Sequence, residues 1–242
     1  MRDATLLPDL IAISAERSPE VLALTYAKTT IRYSELHEAV AGFAGGLMAI
    51  GLQRGERVAI YLEKRFETVI ASFGAPAAGG VFVPLNPLLK PEQVGYIMRD
   101  CNVRVLVTSP ERLALLTDTL KQCHDLRHVV VLDSPDPLPT SGPLAYYRWS
   151  ELLAMPQRLG HRVIDTDVVG ILYTSGSTGK PKGVVLSHRN MVAGAKSVAS
   201  YLENRADDIL LAALPLSFDA GFSQLTTAFH VGARVVLLNY LL

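Results

Sequence analysis

The sequence predicts an α/β protein of mostly parallel sheets flanked by helices. Three observations carry that expectation. Short apolar runs rich in β-branched residues alternate with longer segments of helical periodicity, the pattern of strands joined by crossover helices. Hydrophobic residues make up 49% of the 242 positions and charged residues 19%, enough apolar side chain to bury a substantial core. Glycine and proline punctuate the runs, as at Gly51, Pro91 and the proline-rich residues 133–145.

Taken in order, Ser34 is the expected N-cap of the first long helix. Leu36, Val40, Phe43, Leu47 and Ile50 follow at steps of four and three, drawing one apolar stripe that ends at Gly51. Strands are expected at Arg57–Leu62, Val81–Val83, Val103–Val107 and Val129–Leu132. Helices are expected between them, at Phe66–Ala78, at Glu92–Arg99 behind Pro91 in the first turn, and at Glu111–Cys123. Residues 133–145 hold four prolines and read as a surface loop joining two lobes, residues 1–132 and 146–242. Strands at Val168–Tyr173 and Gly183–Leu186, a helix at Asn190–Leu202, a strand at Ile209–Ala212 and a helix at Ala220–His230 follow. The apolar run Arg234–Leu242 closes the sequence. Ending in a core strand leaves backbone groups unpaired, so the expectation is an incomplete domain.

Composition excludes several classes. Lys plus Arg and Asp plus Glu number 23 each, so no bulk attraction to nucleic acid or an anionic membrane is indicated. The N-terminus carries Asp3, Asp9 and Glu16 and lacks the apolar core of a signal peptide. The most apolar stretch, Ala71–Leu85, is short and broken by Pro76 and Pro84, a poor membrane span. The expected location is the cytoplasm. Cys101 and Cys123 form no C-x-x-C pair and read as structural thiols. The histidines show no metal-ligand spacing, so no metal ligand is assigned; His188 is expected to cap or pack, and Trp149 to pack.

The stretch YTSGSTGKPKG, Tyr173–Gly183, carries the chemistry. Gly176, Gly179 and Gly183 permit close backbone approach, so successive N–H groups can converge on an anion. Thr174, Ser175, Ser177 and Thr178 add hydroxyl donors, and Lys180 and Lys182 add charge. Phosphate binding is the natural reading, against a hairpin tip with no ligand. The spacing departs from G-x-x-x-x-G-K-[ST]: Gly176 and Gly179 are too close, and Pro181 stands where Ser or Thr belongs. The strand-like Val184–Leu186 indicates a loop between two strands rather than one opening a helix. Ser177 and Lys180 match S-x-x-K, but Gly179 and Pro181 disfavour the helix which that nucleophile motif needs.

The run YTSGSTGKPKGVVLSHRN resembles the phosphate-binding signature of the AMP-forming adenylating enzymes, which include acyl-CoA synthetases, luciferases and peptide-synthetase adenylation domains. Ile31–Leu36 resembles the family's TYxEL helix start, Ala75–Pro87 its KAGxxxVPLNP turn, and Leu214–Gly221 lies where the family carries its acyl-pocket motif. The four motifs keep the family's order. LSHRNMVAGAKSV is most similar to acyl-CoA ligases, the exosortase-associated group among them. The resemblance implies a two-step ligase. A carboxylate substrate attacks the α-phosphorus of ATP, giving an acyl-adenylate and pyrophosphate; a thiol of coenzyme A or a carrier-protein phosphopantetheine then takes the acyl group. It further implies that Thr174, Ser175, Gly176, Ser177, Thr178, Gly179 and Lys182 hold the β- and γ-phosphates, with Mg²⁺ bridging phosphate oxygens.

Phe218 falls at the family's acyl-gate position, and Asp219 follows it. A similar FDAS segment in peptide-synthetase domains uses its aspartate to hold a substrate ammonium, so Asp219 leaves two readings open: a substrate-amine partner, or the cap of the following helix. The YGxTE segment, the TGD aspartate and the late lysine of the family are not in these 242 residues, so no catalytic residue is assigned and the chain alone is expected to be inactive. A non-catalytic module that keeps only nucleotide or partner binding is the other class of reading.

Overall fold

The computed structural model describes residues 3–133, 137–140, 142–156, 158–174 and 180–239. Helix α1 (Asp9–Arg17) leads into strands β1 (Leu22–Tyr26) and β2 (Thr29–Arg32) and helix α2 (Tyr33–Ala49). An alternating series follows: β3 (Arg57–Tyr61), α3 (Phe66–Ala77), β4 (Val81–Pro84), α4 (Pro91–Asp100), β5 (Val103–Thr108), α5 (Pro110–Leu120) and β6 (His128–Val131). Strand β7 (Ala145–Arg148) and short α6 (Trp149–Leu153) come next. Then come β8 (Val168–Thr174), β9 (Lys182–Ser187), α7 (His188–Tyr201), β10 (Ile209–Ala212), α8 (Asp219–Val231) and β11 (Arg234–Leu237). The expected strands and helices are present with shifted ends; the last expected strand stops at Leu237.

The strands form two sheets. The larger has the order β7-β6-β5-β3-β4-β8-β9 and is parallel except for the β8–β9 pair. The smaller, β10-β11-β1-β2, is parallel except for β1–β2. Strand β3 shows how pleating sorts the residues: Val58 and Ile60 join the core with α2, α3 and α8, while Ala59 and Tyr61 join the one with α4 and α5. Helices α2, α3 and α8 lie between the two sheets.

Strand pairing crosses the expected boundary at residues 133–145. The proline-rich stretch leads from β6 into β7, its parallel neighbour, so strands from both sides of residues 133–145 share one sheet. The N-terminal β1 and β2 pair instead with the late β10 and β11. Strand pairing joins residues far apart in the chain, which a shift in composition does not register.

Ser34 is not the cap. Helix α2 begins one residue earlier, and the Ser34 hydroxyl donates to the Pro19 carbonyl at 3.0 Å. Glu35 caps instead, its carboxylate accepting from the Arg32 N–H at 2.6 Å. The earlier start buries Tyr33, whose hydroxyl donates to the Ala233 carbonyl at 2.6 Å. The predicted stripe holds: Leu36, Val40, Phe43 and Leu47 are buried, and Phe43 stacks on Trp149 at 4.9 Å.

An aromatic block fills the helical layer. Phe222 stacks on Phe73 at 5.7 Å and on Phe82 at 4.7 Å; Phe229 meets Phe73 edge-on at 5.3 Å and Tyr33 at 6.1 Å. These side chains come from α2, α3, β4 and α8, so one cluster ties the larger sheet to the helices that cover the smaller one.

His188 packs, as expected. It opens α7, is buried, and its Nδ1 accepts the Leu7 N–H at 3.0 Å, which requires the neutral ring. Burial lowers its pKa to about 4 despite the nearby Asp167, Asp9 and Asp165. An unfolded histidine binds its proton near pH 6.5, so the unfolded chain holds more protons between pH 6.5 and about 4, and stability falls as the pH drops through that window. His188→Asn keeps an acceptor but cannot charge. Its Tm should be lower than wild type at pH 7.5 and fall less between pH 6.5 and 4; parallel Tm–pH curves would remove the proton linkage.

Candidate functional site

Strand β8 enters the sheet as the parallel neighbour of β4, with Gly170 beside Phe82, and reverses into β9. The expected strand–loop–strand arrangement is therefore present. Cross-strand pairs run Leu172–Val184, Tyr173–Gly183 and Thr174–Lys182. The Tyr173–Gly183 pair is a support. The Tyr173 ring is buried, and a Cβ at Gly183 would lie 3.1 Å from it and 2.7 Å from Ile171, so glycine leaves the ring its room. The Tyr173 hydroxyl donates to the Asp100 carboxylate at 2.6 Å, anchoring the hairpin to the end of α4. Burial, reinforced by Asp100, raises the Tyr173 pKa above its ordinary value and keeps the hydroxyl a donor.

One step further along, Thr174 and Lys182 face each other, both exposed, beyond the carboxyl end of β4. Neither makes a side-chain hydrogen bond or ion pair among the described residues, which leaves a hydroxyl and an ammonium open to a ligand. The Lys180 ammonium stands 6.0 Å from the Tyr96 ring, a cation–π contact. Ser175, Gly176, Ser177, Thr178 and Gly179 lie outside the described residues. The carboxyl ends of parallel strands are where open α/β sheets bind ligands.

Phe218 and Asp219 stand at the head of α8. Phe218 occupies the N-cap position and is 42% exposed. Asp219 is the first helical residue, not the cap: it is exposed and its carboxylate makes no capping bond among the described residues. The turn from Pro215 to Phe218 displaces it, since the Phe218 N–H bonds the Pro215 carbonyl at 3.2 Å and the helix starts only afterwards. In the first turn Asp219 still faces the positive end of the helix.

The segment before α8 is held from several sides. The Lys64 ammonium donates to the carbonyls of Ala212, Ala213 and Leu214 at 2.9, 2.7 and 3.3 Å. The Gln224 amide donates to the Leu211 carbonyl at 2.8 Å and accepts from the Leu214 N–H at 3.3 Å. Gly221 lets the first turn of α8 lie directly on this segment: a Cβ there would sit 1.9 Å from the Pro215 carbonyl oxygen. The buried Ser217 hydroxyl has no partner among the described residues. Sequence reasoning missed Lys64, Gln224 and Ser217, because nothing local marks a turn lysine whose acceptors lie about 150 residues away.

The structure thus brings Thr174 and Lys182 together and sets Phe218 beside Asp219. Among the described residues no hydrogen bond or ion pair joins the two pairs, and no group of three His, Cys, Asp or Glu is placed to hold a metal ion. No helix among the described residues is long and apolar enough to cross a membrane.

Two mostly parallel sheets around a helical layer, with a hydroxyl- and lysine-bearing hairpin at a carboxyl end, are the frame of an adenylate-forming domain. The AMP-binding enzyme family matches residues 11–240, and the chain belongs to it. Gramicidin S synthase 2 of Aneurinibacillus migulanus is 33% identical over 205 residues, 85% of this chain and 4% of that protein. The long-chain-fatty-acid–CoA ligase of Thermus thermophilus is 33% identical over 208 residues, 85% of this chain and 37% of the ligase. The crystal structure of the anthranilate CoA ligase AuaEII with anthranoyl-AMP superposes with a TM-score of 0.88 at 26% identity, over 96% of this chain and 45% of that one. The chain thus spans less than half of each of these proteins. The family uses ATP and Mg²⁺.

Gly221→Ala discriminates packing from propensity. In an exposed helix that change stabilises by up to about 1 kcal/mol. Here the steric conflict with Pro215 should destabilise the chain by about 1–3 kcal/mol, read as a lower urea midpoint at unchanged m.

Proposed function

We propose that this chain is the phosphate-loop portion of an AMP-forming acid–thiol ligase. In the first step a carboxylate oxygen bonds to the α-phosphorus of ATP while the α–β phosphoanhydride breaks, releasing pyrophosphate and leaving an acyl-adenylate. In the second, the thiol of coenzyme A or of a carrier-bound phosphopantetheine attacks the acyl carbon and AMP departs.

The observation that carries this reading is the Thr174–Lys182 pair, open at the carboxyl end of a parallel sheet and followed in sequence by Ser175–Gly179. Lys182 would neutralise charge on the β- and γ-phosphates, and Thr174 with Ser175, Gly176, Ser177, Thr178 and Gly179 would supply hydroxyl and amide donors. Nucleotidyl transfer needs this kind of positioning and charge compensation more than covalent help from the protein. The donor set suits an anion, and a magnesium ion here would take ligands chiefly from phosphate oxygens and water.

Asp219 supports a second reading, amino-acid adenylation. Its carboxylate is exposed, without a capping bond, and adjacent to the gate-position Phe218, free to pair with a substrate ammonium. The similarity to a gramicidin synthase favours the same reading, with a carrier protein as acceptor partner.

The test is ATP–pyrophosphate exchange by the full-length protein over a panel of fatty, aromatic and amino acids. Exchange should depend on a carboxylate and be absent in residues 1–242 alone. Lys182→Ala should lower kcat/KM for ATP at least about tenfold, the effect expected from losing more than about 1.4 kcal/mol of phosphate stabilisation; an unaltered value would refute its role.

Asp219→Ala separates the two substrate readings. If an amine is held there, the variant loses exchange with amino acids about tenfold or more and keeps it with plain acids. Equal losses on both would leave Asp219 as a helix-terminus charge.

A further inference from the structure

The three carbonyls met by Lys64 are consecutive, from Ala212, Ala213 and Leu214 at the point where β10 gives way to the turn before α8. In an extended strand successive carbonyls point to opposite sides. For three in a row to face one atom, the chain must curl, and their like-oriented dipoles then repel. A single ammonium offsets that repulsion, and its three tetrahedrally disposed donors fit three convergent acceptors. A guanidinium fork does not, because its donors lie in one plane.

Lys64 is itself held in place. Its backbone N–H donates to the Asn239 side-chain oxygen at 3.1 Å, and its carbonyl accepts from the Asn239 side-chain amide at 2.7 Å. The neighbouring Glu63 is paired with Arg112, whose guanidinium also donates to the Pro87 carbonyl at 2.7 Å. The turn after β3 is thereby locked to α5, to the end of β4 and to the residues after β11. Lys64 carries that rigidity across to the other sheet.

We propose that Lys64 is a positioning residue for the carboxylate pocket, its ammonium setting the Leu214–Asp219 segment and so the places of Phe218, Asp219 and the head of α8. The inference rests on the ligase reading above for what that segment binds, but not for the clamp. The path is short and continuous. Leu214 is gripped by Lys64 and Gln224, the Pro215 carbonyl closes on the Phe218 N–H, and Gly221 lies against Pro215. Thr174 and Lys182, on β8 and β9 of the larger sheet, make no hydrogen bond or ion pair with this segment among the described residues. Loosening the clamp therefore acts on the carboxylate and spares ATP.

The experiment uses the full-length protein with Lys64→Met, Lys64→Arg and Asn239→Ala, and has two readouts. In pyrophosphate exchange, Lys64→Met should raise KM for the carboxylate at least about tenfold with KM for ATP changed less than about twofold; Lys64→Arg should recover only part. In hydrogen exchange, amides of residues 213–222 should exchange at least about tenfold faster in Lys64→Met, with those of β3, β5 and β6 unchanged. Asn239→Ala, which keeps the ammonium, should shift both readouts the same way by less, and it decides the matter if Lys64→Met does not fold. Wild-type values in both readouts, or equal rises in the two KM values, would overturn the proposal. Absence of carboxylate-dependent exchange in the wild type would instead overturn the ligase reading, with hydrogen exchange still deciding whether the clamp exists.

Discussion

Among the described residues the two sheets share no backbone hydrogen bond, so their mutual placement depends on what fills the space between them. Phe73, Phe82, Phe222, Phe229 and Tyr33 fill it with buried rings in offset-stacked and edge-on contact. Truncating one such ring in a core costs about 3–5 kcal/mol, a large share of a domain's net stability. Tyr33 adds directionality, because its hydroxyl must reach the Ala233 carbonyl and thereby sets how α2 enters relative to the α8–β11 turn. Position and register of the site elements follow from this block.

Polar contacts refine what the aromatic block establishes. At the carboxyl ends of the strands, Lys64 and Asn239 join the turn after β3 to the ends of β10 and β11, and Tyr173 joins the hairpin to α4 through Asp100. These bonds are directional, and those of the Lys64 ammonium to Ala212 and of Tyr173 to Asp100 are partly buried, so they specify geometry at sites where apolar packing alone would allow sliding. The site residues differ in kind. Thr174, Lys182, Phe218 and Asp219 are exposed at the ends of their elements, while Tyr173, Gly183, Gly221 and Lys64 hold those elements. Family motifs therefore mix two roles: within one eleven-residue signature, Tyr173 and Gly183 support the fold and Thr174 and Lys182 face outward.

Much of this was legible in the chain. The stripe from Leu36 to Leu47 showed its helix because a 3.6-residue period is a local property, and the runs at β3, β5, β6 and β8 showed themselves because strands buried on both faces read as unbroken apolar segments. Strands β1 and β2, helix α1 and the pair β7–α6 were not anticipated: they are short, mixed in polarity and stable only against their neighbours. Ser34 was misread as a cap since serine's preference for that position is weaker than the gain from burying Tyr33 one residue before it. Of the two readings of Asp219, the cap fails in the same way, because the Pro215–Phe218 turn moves the helix start past it.

Order, period and residue chemistry along the chain determined the α/β class, the paired strands on either side of the Ser175–Gly179 stretch and the family to which the chain belongs, since each is a matter of neighbours in sequence. Tertiary structure alone decided that the N-terminal strands complete a sheet with the last ones, that the proline-rich stretch turns back into its own sheet, and that a lysine at position 64 grips carbonyls 150 residues on. The physical reason is common to all three. Backbone pairing and convergent hydrogen bonds depend on where distant segments come to rest, and that is settled by packing of the whole core rather than by any window of the sequence.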